Sequence, residues 1–135
     1  MDGEIIQLSE LRGRPVMVNI WASWCTPCRA EMPALERAYQ DYHAQGFEIL
    51  AVNSTIQDSP QNAANFASEY GLTFKILFDD QGEVTRQYQV QALPSTFFID
   101  EKGIINEVVV GGPMSEALLR TRIENLLKQT IMETP

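Results

Sequence analysis

The only two cysteines of the chain, Cys25 and Cys28, stand two residues apart in the stretch NIWASWCTPCRAEMP, residues 19–33. An almost continuous apolar run, residues 16–22 (VMVNIWA), leads into them. Such a run is expected of a strand buried on both faces. After them, Met32, Leu35, Tyr39 and Tyr42 recur at helical spacing. The pair therefore marks a strand-to-helix turn, and the chain must be built around a βα unit with both sulfurs at its junction.

The rest of the sequence extends that pattern. Residues 4–8 (EIIQL) read as a short strand, followed by a turn at residues 12–15 (RGRP). Gly46 ends the helix after the cysteines, and residues 47–53 (FEILAVN) form a second buried strand. Asp58 or Ser59 can cap the next helix, with Pro60 in its first turn and Gly71 closing it. Residues 74–80 are a strand and 82–90 a short helix. Two strands, STFFID and IINEVVVGG, are joined by a hairpin turn at residues 100–103. Ser115 caps a last helix with Leu119, Ile123, Leu126 and Leu127 on one face, and the tail from residue 129 is expected to fray. Strands alternating with helices, then a hairpin and a helix, give an α/β fold: a mixed central sheet with helices on both faces.

At 135 residues the chain is expected to form one domain, 1–135, with a hydrophobic core of its own. Its net charge of −8 argues against nucleic acid as a partner, which would require clustered Lys and Arg. No run approaches a membrane span, and the acidic start MDGEIIQLSE is not a signal peptide. A membrane link is expected only through an N-terminal anchor trimmed from this chain.

Four chemistries are open to a close cysteine pair. As a structural staple it is weak: closing about four residues is worth roughly 2 kcal/mol, against about 4.7 for a hundred. A structural zinc site wants four ligands, and the chain offers two Cys and one His, with His43 about 22 Å along the helix. No metal is therefore expected. Two inert core thiols fit poorly at the mouth of a turn. A redox dithiol fits well. The sulfur of Cys25 would face the unpaired N–H groups and positive end of the helix, which stabilise a thiolate. Cys28, three residues on, lies on the same helix face and deeper, placed to resolve a mixed disulfide formed at Cys25. Pro27 suits the first helical turn. Trp24 either offers a flat apolar surface beside Cys25 or packs under the loop. Farther along, Pro94 in QALPSTFFID precedes a strand. A cis Leu93–Pro94 bond would leave Leu93 backbone groups ready to pair with an extended peptide; a trans Pro starting an edge strand is the plain alternative.

Together, WCTPC and LPSTFFI resemble the thioredoxin superfamily, and the match is closer to its TlpA/ResA-type thiol–disulfide oxidoreductases. Their pattern, L-x-G-K-P-V-x-x-N-F-W-A-x-W-C-x-P-C-R-x-E-x-P, is met at Leu11, Gly13, Pro15, Val16, Asn19, Trp21, Ala22, Trp24, Cys25, Pro27, Cys28, Arg29, Glu31 and Pro33. Arg14 and Ile20 depart from it. The resemblance runs from about residue 4 to 128. It implies a thioredoxin fold with an N-terminal hairpin and a central insertion at about residues 54–78. It implies a protein-disulfide reductase acting outside the cytoplasm, in cytochrome c maturation or other extracytoplasmic thiol redox control. Its partners would be protein thiol and disulfide substrates and an upstream electron-donor protein. The chain would act as a monomer, with no cofactor but the Cys25–Cys28 disulfide. The substrate site would comprise Trp24, Thr26, Pro27, Leu93 and a cis Pro94, supported by Asn19.

Proton handling departs from the superfamily. Asn19 stands where thioredoxin has a buried Asp, and Asn cannot titrate. Many relatives carry a Glu shortly after the second core strand; here Thr55 and Gln57 occupy that place, with Asp58 the nearest acid. No carboxylate is expected directly below the pair, leaving Asp58 through water, or solvent itself, as proton carrier. Arg29, Glu31 and His43 read as solvated residues, and Pro33 as a helix kink. Two rival functions are a thiol peroxidase, although Val18 and Ala22 break its P-x-x-x-T-x-x-C pattern, and a copper(I)- or haem-handling binding module.

Overall fold

A computed structural model describes residues 13–133. The expected strand at residues 4–8, its hairpin and Leu11 lie outside the described residues. Five strands form one mixed sheet in the order β3-β2-β1-β4-β5: β1 is Val16–Trp21, β2 Glu48–Asn53, β3 Lys75–Phe78, β4 Ser95–Ile99 and β5 Ile105–Val110. The first three run parallel; β4 and β5 pair antiparallel to what precedes them. Four α-helices complete the described residues: α1 Thr26–Tyr42, α2 Pro60–Glu69, α3 Glu83–Gln87 and α4 Glu116–Glu133. This is the expected α/β fold.

Strand β1 sits at the centre of the sheet with every residue buried, as its almost continuous apolar run requires. Alternation then divides the core. Met17 and Trp21 point to the face covered by α1, α2 and α4, where they meet Met32, Leu35, Phe66 and Ile123. Val16, Val18 and Ile20 point to the other face, against Leu50, Val52, Phe97 and the partly buried Val84 and Tyr88 beside α3. Helices thus lie on both faces, three on one and the short α3 on the other.

Element ends differ from the sequence expectation in instructive ways. Helix α1 stops at Tyr42 and a 3₁₀ turn, His43–Gln45, carries the chain to Gly46, whose φ of +92° reverses it. Ser59, not Asp58, is the N-cap of α2: its hydroxyl accepts from the Asn62 N–H. Helix α4 continues through residue 129, where fraying was expected, to Glu133, since no Gly or Pro interrupts it before Pro135. Ser115 caps it, accepting from the Leu118 N–H. The segment expected as a central insertion, with a helix and a strand in it, supplies the 3₁₀ turn Thr55–Gln57, α2 and β3, which pairs parallel to β2.

Leu35 is fully buried where α1 crosses the sheet. Replacing it by Ala should lower unfolding stability by about 2–5 kcal/mol, read from the urea midpoint at constant m-value.

Candidate active site

Cys25 occupies the N-cap of α1 with extended backbone (φ −82°, ψ 111°), and its Sγ accepts a hydrogen bond from the Cys28 N–H at 3.3 Å. Sequence dictates this: the buried strand must end, Pro27 lacks an N–H and fits the first helical turn, and the cap falls to the residue before Thr26. Cys25 and Cys28 form a disulfide with Cα atoms 5.2 Å apart, within the ordinary span. Cys25 is 4 % exposed and Cys28 is fully buried. Thr26 is exposed and Pro27 half-buried beside them. Trp24 is 56 % exposed, so its ring forms surface rather than packing beneath the loop.

The Leu93–Pro94 bond is cis. Pro94 and the α1 residue Glu31 both close on Gly112: a Cβ added there would lie 3.0 Å from Pro94 Cγ and 2.8 Å from Glu31 Oε1. Gly111, at φ +83°, donates its N–H to the Pro94 carbonyl at 2.7 Å. These two glycines let the loop after β5 lie directly on Pro94 and Glu31.

Glu31 overturns the expectation of a solvated side chain and of a site without a carboxylate. It is 2 % exposed. Its Oε2 accepts from Asn19 Nδ2 at 3.0 Å, and its Oε1 accepts from the Met114 N–H at 2.9 Å. Asn19 also donates to Thr96 Oγ1 at 3.0 Å, tying β1 to β4. Burial pushes the Glu31 carboxyl above the ordinary glutamate range; the bonds from Met114 and Asn19 oppose that push but do not cancel it. The signal was present in the spacing. Glu31 falls three residues after Cys28 and four before Leu35, on the helix stripe that faces the core, and its charge alone suggested solvent.

Asp58 is likewise placed differently from either expectation. Its carboxylate accepts from the Ser23 N–H (2.7 Å), the Ser23 hydroxyl (2.7 Å), Asn53 Nδ2 (3.0 Å) and the Ser59 N–H (2.8 Å). Burial raises its proton affinity, but the four donors outweigh burial and hold it below the ordinary carboxylate range. A carboxylate so engaged is a poor proton carrier near neutrality. Arg29 is exposed as expected, its guanidinium 5.3 Å from the Phe66 ring centroid, and His43 is exposed.

The profile of the AhpC/TSA family matches residues 1–108. The chain is 37 % identical to the thiol–disulfide oxidoreductase ResA of Bacillus subtilis over 94 % of its own length and 69 % of that protein's. Against ResA of Oceanobacillus iheyensis it is 40 % identical over 94 % of its length and 62 % of the relative's. The chain belongs to the AhpC/TSA family, among the ResA-type thiol–disulfide oxidoreductases. It spans under two-thirds of the Oceanobacillus ResA. Two solved structures share its fold. Mycobacterium tuberculosis dsbF superposes with a TM-score of 0.84 at 27 % identity, covering 93 % of this chain and 90 % of dsbF. StoA of Bacillus subtilis gives 0.74 at 28 %, covering 83 % and 84 %. Of the residues singled out in the sequence, Cys25 and Cys28 are joined by the disulfide with Thr26 and Pro27 between them, Asn19 bonds to Glu31, and Pro94 and Glu31 both close on Gly112; Glu31, Thr96, Gly112 and Met114 are the residues the sequence reading did not include in the site.

Because folded Glu31 holds its proton more tightly than the unfolded chain does, its contribution to stability falls as pH rises from the ordinary value of about 4.5 through the raised folded value. Glu31→Gln removes this dependence. The urea midpoint of the variant relative to wild type should therefore move in the variant's favour between about pH 4 and about pH 8. A constant difference across that span would mean that Glu31 titrates normally.

Proposed function

We propose that this chain reduces disulfides of other polypeptides outside the cytoplasm, using the Cys25–Cys28 dithiol and no metal or bound cofactor. The observation that carries this reading is the position of Cys25: its sulfur caps α1 at the end of the central strand and is joined to Cys28 in a disulfide. In the reduced protein the helix N-terminus favours the Cys25 thiolate. That thiolate attacks one sulfur of a substrate disulfide, forming a mixed disulfide and releasing the other substrate sulfur as a thiolate, which takes up a proton. Cys28 then gives up its proton and attacks Cys25 Sγ. The second substrate thiol leaves and the Cys25–Cys28 disulfide closes. Two electrons and two protons pass to the substrate.

Glu31 is the proton carrier for Cys28 in this scheme. It lies one helical turn below Cys28 on the same face, and its raised proton affinity suits transfer near neutrality. Asn19 and the Met114 N–H orient it. Trp24, Thr26 and Pro27 on one side, with Leu93 and Pro94 on the other, form the surface that receives the polypeptide, whose backbone pairs with Leu93. The substrates we favour are extracytoplasmic thiol proteins, including apocytochrome c before haem attachment, and an upstream dithiol protein returns the electrons. The chain acts as a monomer. Among the described residues no helix is long and apolar enough to cross a membrane.

The AhpC/TSA match favours peroxide reduction as a second reading. Val18 and Ala22, where the peroxidase pattern places Pro and Thr, speak against it. Peroxide consumption at a rate above the insulin rate would reverse this ranking.

Wild-type protein should accelerate dithiothreitol-driven reduction of insulin, followed by turbidity, and Cys25→Ser should return the rate to background. Cys28→Ser should accumulate a mixed disulfide between Cys25 and the insulin chain, visible on non-reducing gels. No acceleration by wild type would refute the reductase reading.

A further inference from the structure

The proposed mechanism uses α1, β1 and β4 but leaves unexplained a hydrogen-bonded network reaching the active-site loop from the far side. Asn53 ends β2 fully buried and opposite Trp21 in register. Its Oδ1 accepts from the Thr55 hydroxyl (3.0 Å), while its Nδ2 donates to Asp58. Asp58 then accepts two bonds from Ser23, a residue 35 positions away in sequence and two before Cys25. Beside it, the Trp24 indole N–H donates to the Gln57 carbonyl at 2.7 Å, and the Ser54 N–H donates to the Trp21 carbonyl at 2.8 Å. The turn of residues 54–58 is thus bonded to Trp21, Ser23 and Trp24 in succession.

This wiring is more than a helix start requires, because Ser59 already caps α2. Two of the four bonds to Asp58 come from the loop that carries Trp24. Trp24 is 56 % exposed, yet its one polar group is satisfied by the turn, so a large apolar ring is presented to solvent in one pose. Ile56, on the same turn, is also 56 % exposed, and its Cδ1 approaches Gly82 so closely that a Cβ there would lie 2.9 Å away. An exposed Trp, adjacent to Cys25 in sequence, and an exposed Ile thus stand on the two segments that the Trp24–Gln57 bond joins, a pair we call the apolar ledge.

We propose that Asp58 is a positioning residue for substrate capture: by clamping Ser23 it fixes the Trp24–Ile56 ledge, which selects polypeptide disulfides over small ones. This rests on the disulfide-reductase reading above. The clamp acts on how substrate is held and not on sulfur chemistry, because Asp58 bonds to Ser23 and to Asn53 and Ser59, not to either cysteine. Its low proton affinity keeps the clamp closed into the acid range.

Insulin and hydroxyethyl disulfide serve as the large and small substrates. Losing charge-assisted bonds at the ledge should raise KM for insulin roughly tenfold in Asp58→Ala, with kcat within about twofold. The rate with hydroxyethyl disulfide should stay within about twofold of wild type, because that substrate is too small to bury much of the ledge. Ser23→Ala, which leaves the Asp58 bonds to Asn53 and Ser59 in place, should show the same split more weakly. Asp58→Asn should fall between Asp58→Ala and wild type, since one acceptor oxygen remains. Fluorescence anisotropy of Trp24, measured in a Trp21→Phe background, should fall in Asp58→Ala. Equal losses on both substrates, an unchanged insulin KM, or unchanged Trp24 anisotropy would each overturn the clamp. A wild-type protein inactive toward insulin would overturn the reductase reading itself, and this inference with it; an active wild type with variants that behave like it would overturn the clamp alone.

Discussion

The hydrogen bond from the Cys28 N–H to Cys25 Sγ is the contact on which the site depends. A helix must satisfy its first N–H groups, usually with an oxygen from Ser, Thr, Asp or Asn. Here sulfur takes that place. The cap therefore does two jobs: it ends a fully buried central strand and begins α1, and it puts the more accessible sulfur where the helix field favours negative charge. A residue that capped better without titrating as a thiol would make the same turn and no chemistry. The position of β1 in the middle of the sheet, bonded on both sides by β2 and β4, gives this junction a rigid base.

Behind the sulfurs the interior is polar in a controlled way. Asn19, Glu31 and Thr96 are buried together and bonded in sequence, with the Met114 N–H closing the set. A buried carboxylate without partners would be strongly destabilising; with these partners it is retained at a raised proton affinity. The same loop that supplies Met114 also supplies Gly112, whose lack of a side chain lets both Glu31 and Pro94 approach it. The buried carboxyl and the cis proline thus share one piece of backbone.

Much of this was legible in the sequence because periodicity and punctuation agreed. The apolar run of β1, the stripe of Met32 and Leu35, Pro27 at the helix start and Pro94 before β4 each pointed to the element that formed. The cysteine spacing identified the junction, and the family pattern singled out Pro94. What stayed hidden were side chains whose type argued against their place. Glu31 is charged and was read as solvated, although its spacing sets it on the buried stripe. Asp58 looked like a helix cap from its position before Pro60, but Ser59 caps and Asp58 reaches Ser23 instead. Thr96, Gly112 and Met114 gave no signal at all, since their roles arise only when β4 and the loop after β5 fold over α1.

The central claim is that capping α1 makes Cys25, and not Cys28, the attacking thiol. Competitive alkylation tests it most directly. Fully reduced protein would be treated near neutral pH with less than one equivalent of iodoacetamide, quenched, and digested for mass spectrometry of the peptide carrying both residues. The account predicts modification almost entirely at Cys25, with Cys28 protected by burial. Modification at Cys28 first, or at both sites equally, would contradict it.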